Sequence, residues 1–122
     1  MKTYHDLEIY KISFELFIET HRFSHFLPKQ ELYELGSQIR RSADSINSNI
    51  VEGYGRRKYK NDFLRFLNYA HASNLETINH LKKISILYPE VMELSSDLSN
   101  KYGKLGVKIY NFIDYVSREW RV

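Results

Sequence analysis

The sequence predicts an all-α protein, an up-down-up-down antiparallel four-helix bundle formed by a single domain over residues 1–122. Three observations lead there. Apolar residues recur by threes and fours through four long stretches, the period of a helix face, and no strand-like alternation competes. Each stretch runs for roughly 20 to 30 residues with short links, the proportions of a helical bundle. Only 2 Pro and 5 Gly punctuate the 122 residues, so breaks are few.

The first stretch, Leu7 to Phe26, sets Ile9, Ile12, Leu16, Thr20 and Phe23 on one face. "FLPKQELY" interrupts it, because Pro28 disfavours helix in the residue before it and can open a new one. The second, from Glu31 to about Gly53, repeats the pattern with Leu32, Leu35, Ile39, Ala43, Ile46 and Ile50. "GYGRRKYKN" is the next break, with Gly53 expected as a left-handed C-cap. The third runs from about Lys60 to Tyr88 through Phe63, Phe66/Leu67, Ala70, Ile78, Leu81 and Ile84, and Pro89 stops it. The fourth extends from about Glu90, or later, to Trp120 on Leu98, Tyr102, Leu105, Ile109, Phe112 and Val116. "SSDLSNKYGKLG" weakens its start.

The first helix has more apolar surface than one core contact uses. Tyr10, Phe14 and Phe17, with Leu7 and Ile18 beside them, form a second stripe about a third of a circle from the first at ~100° per residue. Two readings stand. The helix has one broad buried face, or Tyr10, Phe14 and Phe17 form a subunit interface, since a patch of that size is unusual on a monomer.

With 10 Tyr and 7 Phe the composition is globular rather than disordered. The absence of cysteine excludes a disulfide framework and thiolate metal sites, and suits a reducing compartment. "MKTYHDLEIY" has no apolar signal core and no window approaches the ~18 apolar residues of a membrane span. A cytoplasmic protein without membrane contact is expected.

Catalytic motifs fail their context tests. "EGYGRR" follows a helix and lacks the Gly-Lys-Ser/Thr of a phosphate loop, and no serine stands in a Gly-x-Ser-x-Gly turn. His21 and His25 are one helical turn apart, but "HRFSH" lacks the glutamate of His-Glu-x-x-His. His71 and His80 fall on opposite sides of their helix. No enzyme activity, metal, cofactor or small-molecule substrate is therefore expected.

"RRSADSINSNIVEGYGRR", Arg40 to Arg57, holds the informative polar residues. Around Ile39, a stripe of Gln38, Ser42, Ser45, Asn49 and Glu52 gathers beside the apolar one. Ser and Asn are poor helix-interior residues because they compete for nearby backbone groups, so the stripe must gain something. Close inter-helix packing with polar bonds across the gap is one gain. Asn74 lies in the apolar stripe of the third helix and is expected to bond the Ser45/Asn49 side of the second.

Charge is concentrated in the same region. From Arg40 to Arg65, seven cations (Arg40, Arg41, Arg56, Arg57, Lys58, Lys60, Arg65) face three anions (Asp44, Glu52, Asp62), while the net charge of the whole chain is +3. The cations are either a solvated face with local ion pairs or a phosphate-contacting set, with Tyr54 and Tyr59 available to stack on unpaired bases.

The segment "QIRRSADSINSNIVEGYGRRKYKNDFLRFLNYAHAS", Gln38 to Ser73, resembles the signature of the 23S rRNA intervening-sequence protein family, also called four helix bundle proteins. Matching positions are Gln38, Arg40, Arg41, Ser45, Ile46, Asn49, Ile50, Glu52, Gly53, Gly55, Arg56, Phe63, Phe66 and Leu67. "FLPKQELYEL" resembles the family's Phe-Pro-x-x-Glu-x-Tyr/Phe-x-Leu link with a Leu inserted before Pro28. Val51 replaces a usual Ala, and Tyr10 stands where Trp is common. The resemblance implies a bacterial cytoplasmic bundle that assembles as a homopentamer around a central channel, encoded within rRNA intervening sequences. A related branch assists diversity-generating retroelements through nucleic acid and reverse transcriptase. The expected function is non-enzymatic binding of RNA or another structured nucleic acid through the basic surface. The alternative is a scaffold or adaptor whose basic rim engages an acidic protein.

Overall fold

The computed structural model describes residues 3–121, and among them every regular element is helical. Four helices form the bundle: α1 (Glu8–Ser24), α2 (Leu35–Gly55), α3 (Lys60–Leu87) and α4 (Met92–Glu119). Each packs on its neighbours in the cycle α1–α2–α3–α4–α1, and the backbones of the diagonal pairs stay apart across the core. The α1–α2 face therefore lies opposite the α3–α4 face.

Short 3-10 turns adjust the junctions. Thr3 opens the first, Tyr4–Asp6, with a reciprocal capping box: its Oγ1 accepts from His5 N (3.1 Å) and its N–H donates to Asp6 Oδ2 (3.1 Å). Pro28 starts the turn Lys29–Glu31, and Glu34 at φ −109°, ψ −102° interrupts the chain before α2. The second helix accordingly begins at Leu35, four residues later than its periodicity suggests. Pro89 opens Pro89–Val91 between α3 and α4. The Tyr88 hydroxyl donates to the Glu31 carboxylate and joins these two junctions at one end of the bundle. The weak stretch Ser95–Gly106 is helical throughout.

Gly53 is not a left-handed cap. No described residue has positive φ, and α2 continues through it to Gly55. Its role is close approach: a Cβ there would lie 3.1 Å from Phe66 Cβ and 3.4 Å from Phe63 Cδ1. The missing side chain lets α2 and α3 converge just before their link.

The core follows the predicted faces. Ile39, Ile46 and Ile50 of α2 share one core with Phe63, Leu67, Leu81 and Ile84 of α3 and Leu105, Ile109 and Val116 of α4, all essentially without solvent exposure. Each such side chain contributes about 1.5–3 kcal/mol of transfer free energy. Leu16 and Phe23 complete the α1 side. Tyr102 is the large polar member. Its hydroxyl lies 2.6 Å from Thr20 Oγ1 and 3.1 Å from the Leu16 carbonyl, and burial raises its pKa far above the ordinary value.

The polar stripe of α2 does meet α3, through different residues from those expected. Ser45 Oγ lies 2.9 Å from Ser73 Oγ, and Thr77 donates to Ser42 Oγ at 2.8 Å. Asn49 folds back on Ser45, reaching its carbonyl at 2.8 Å and its hydroxyl at 3.0 Å. Asn74 turns the other way: its Nδ2 donates to the Tyr102 carbonyl of α4 at 2.9 Å. The reason is one step of helix phase, since Ser73 sits ~100° from Asn74 and takes the position facing α2. Glu52 is also outside the seam, exposed and paired with Arg56 at 3.3 Å.

Candidate nucleic-acid interface at the α2–α3 corner

The link between α2 and α3 is four residues, Arg56 to Tyr59, folded by hydrogen bonds from Arg56 N to the Gly53 carbonyl, Arg57 N to the Tyr54 carbonyl and Tyr59 N to the Arg56 carbonyl. So tight a link, with buried Gly53 and Tyr54 beneath it, holds Arg56, Arg57, Lys58, Lys60 and Arg65 at one corner. No side chain caps the start of α3, so the positive end of its dipole adds to the same potential.

These cations are not equivalent. Arg56 pairs with Glu52 (3.3 Å) and Asp62 (3.7 Å), and Arg65 with Asp62 (3.2 Å). Both guanidinium groups also lie against the Phe66 ring, at 4.7 and 5.2 Å from its centroid. Arg57 rests over Tyr54 at 4.1 Å and donates to its carbonyl at 3.0 Å. Among the described residues, Arg57, Lys58 and Lys60 have no carboxylate partner. They carry the uncompensated charge of the corner.

Tyr54 and Tyr59 part company. Tyr54 is only 5% exposed, enclosed by Tyr4, Phe63 and the Arg57 guanidinium, and has no face open for a base. Tyr59 is 64% exposed, with Lys58 Nζ 5.9 Å from its centroid, and offers an accessible ring.

Arg40 and Arg41 stand about 24 Å away at the helical rise of ~1.5 Å per residue, towards the other end of α2. Arg40 is half-buried: Nη1 donates to Ser24 Oγ (2.9 Å) and Nη2 to the Leu32 carbonyl (2.7 Å), fastening the α1–α2 connection to α2. Its guanidinium is committed within the fold. Arg41 is exposed and lines a groove with Gln38, Ser42, Ser45, Glu76 and His80. His80 is nearly enclosed, its Nδ1 has no partner, and Glu76 Oε2 lies 3.9 Å from its Nε2. Burial lowers its pKa, Lys83 adds to the effect, and Glu76 opposes it. Sequence periodicity missed this enclosure because it gives the face of a helix and not the depth of the neighbouring groove.

The interface stripe on α1 is graded: Phe14 is 47% exposed, while Tyr10 and Phe17 are half-buried. Tyr10 packs in an aromatic group with Tyr4, His5 and Phe14. Among the described residues, no three His, Asp or Glu side chains come together to hold a metal ion, and no helix is long and apolar enough to cross a membrane.

The sequence profile of the 23S rRNA-intervening sequence proteins matches residues 5–111, from the first turn through most of α4. The chain belongs to that family. No curated protein matches it. In this member of the 23S rRNA-intervening sequence family, five of the seven predicted cations share the α2–α3 corner and two do not.

Proposed function

We propose that this protein is a non-enzymatic homo-oligomer, a pentamer, that binds RNA or another structured nucleic acid in the cytoplasm. The observation that carries the reading is the uncompensated charge of Arg57, Lys58 and Lys60 beside exposed Tyr59. Unpaired cations are the ones free to replace counterions on a phosphate backbone. Three such contacts give a log–log salt slope of about −2 per protomer on a single strand. Arg56 and Arg65, held by Asp62 and Phe66, present the remaining guanidinium edges at fixed positions. Repetition of the corner in each copy multiplies weak contacts into avidity.

Retention of labelled 23S rRNA fragments by the purified protein, measured from low to physiological salt, tests this. Binding that weakens with salt supports it, and no retention at low ionic strength overturns it. A co-purified protein that stays bound after nuclease treatment would instead make the corner a docking site for an acidic protein partner.

A further inference from the structure

Resting on the homo-oligomeric reading above, we infer that one copy inserts the aromatic ridge of α1 into the α3–α4 groove of the next, head to tail. The ridge is Tyr10, Phe14 and Phe17. At ~100° per residue these lie about 100° to 160° from core residue Leu16, on the side of Ser13, which accepts from Asn47 of α2 at 3.2 Å. The ridge therefore projects from the α1–α2 face. The groove lies on the opposite face, between Leu75 of α3 and Val107 and Tyr110 of α4, with Gly103 and Gly106 along its floor. Leu75, Val107 and Tyr110 are each about three-fifths exposed.

Two features of the groove have no explanation inside one chain. Gly103 lies in the middle of α4, yet a Cβ there would meet nothing within 4 Å. An exposed helix-interior glycine weakens its helix, and no packing within the chain requires it. A neighbour approaching the α4 backbone does. Asn74, 1% exposed, also lines the groove, and its Oδ1 has no hydrogen-bond donor. Gly106 has an internal reason, because a Cβ would come within 2.8 Å of Asn74 Nδ2.

The occupant is a second copy of this chain because ridge and groove are level. Lys108 pairs with Glu8 at 2.9 Å and Lys101 with Glu19 at 2.8 Å, so α4 residues 101–108 run beside α1 residues 8–19. The ridge falls within the second span, and the α4 part of the groove falls within the first or one turn beyond it. A heterologous contact closes into a ring only when rotation carries one patch to the other without a rise along the axis. Ridge and groove at one height meet the no-rise requirement, and the angle between the two faces sets how many copies close the ring.

Gly103→Leu tests the interface, since the space at Gly103 lets the variant fold. Circular dichroism is expected to be unchanged and light scattering to show a monomer in place of the wild-type oligomer. The native chain has no cysteine, so Phe14→Cys and Val107→Cys give a second test with a bismaleimide cross-linker. Chains carrying both are expected to form a ladder of covalent multimers, and chains carrying either alone to form none. An oligomeric Gly103→Leu protein, or covalent dimers from Phe14→Cys alone, overturns this interface and leaves the oligomer reading standing. A monomeric wild type overturns both.

Discussion

The hydroxyl of Thr77 on α3 donates to Ser42 Oγ on α2 across 2.8 Å, and Ser42 donates onward to the Ile39 carbonyl at 3.2 Å. Thr77 Oγ1 also lies 2.8 Å from the Ser73 carbonyl, so its single proton has two acceptors. With Ser45–Ser73 one turn further along, this chain lets two helices rich in poor helix formers pack closely without orphaned hydroxyls. Thr77→Val keeps the shape and removes the donor. Urea denaturation is expected to show a loss of about 1 kcal/mol, with helical content and oligomer size unchanged.

Gly106 and Asn74 form a second coupled pair. A methyl at 106 would lie 2.8 Å from Asn74 Nδ2 and displace its bond to the Tyr102 carbonyl. Gly106→Ala is expected to destabilise by roughly 1–3 kcal/mol, the range for leaving a buried polar group unsatisfied. In an Asn74→Ala background the same substitution should be neutral or stabilising, because the clash is gone and alanine is the better helix former. A double-mutant cycle that shows simple additivity would refute the coupling.

The bundle was legible because its apolar periodicity is long and unbroken, and Pro28 and Pro89 mark two of its three links. What one chain's periodicity omits is the partner of each polar residue. Asn74 and Ser73 differ by one position, yet one serves α4 and the other α2. Gly53 looked like a terminus because an exposed end and a crowded crossing both favour glycine. Arg40 looked like surface charge because its acceptors, Ser24 Oγ at the end of α1 and the Leu32 carbonyl in the α1–α2 connection, are brought to it by a path the sequence does not specify. The gathering of Arg56, Arg57, Lys58, Lys60 and Arg65 was legible, because a short link between antiparallel helices leaves its neighbours nowhere else to go.

The division among the arginines yields a paired expectation. Arg40→Gln loses two hydrogen bonds from a charged donor and is expected to cost about 1.5–3 kcal/mol of stability per bond left unreplaced. Its nucleic-acid salt slope should match the wild type. Lys58→Ala and Lys60→Ala should do the reverse, each lowering the magnitude of the slope by about one with little change in stability. Parallel denaturation and binding titrations separate the two effects, and a reduced slope for Arg40→Gln would contradict the assignment.

Tyr59 makes a sequence-tolerant contribution if it stacks on unpaired bases. Tyr59→Ala is expected to weaken binding to a single-stranded RNA by about 1–3 kcal/mol, the range for base–aromatic stacking. Tyr59→Phe should retain it, and a fully paired duplex should be bound equally by all three proteins. The salt slope stays fixed throughout, since the ring carries no charge. Equal losses on duplex and single strand would assign Tyr59 to the fold of the link.

His80 gives the stability a pH dependence whose sign follows from its surroundings. Burial among α2 and α3 side chains disfavours the imidazolium, Lys83 adds to that, and Glu76 partly compensates. Arg41, exposed on the facing wall of the groove, adds a further cation there. The folded-state pKa therefore lies below the unfolded value of about 6.5. Between the two, the unfolded chain binds the extra proton, so stability rises with pH in that window. The contribution is fully present above 6.5 and is lost as pH falls towards and through the folded value. Urea midpoints at pH 7.5 and pH 5 are expected to differ less in His80→Leu than in the wild type. An identical pH difference in the two proteins would show that His80 is not the group responsible.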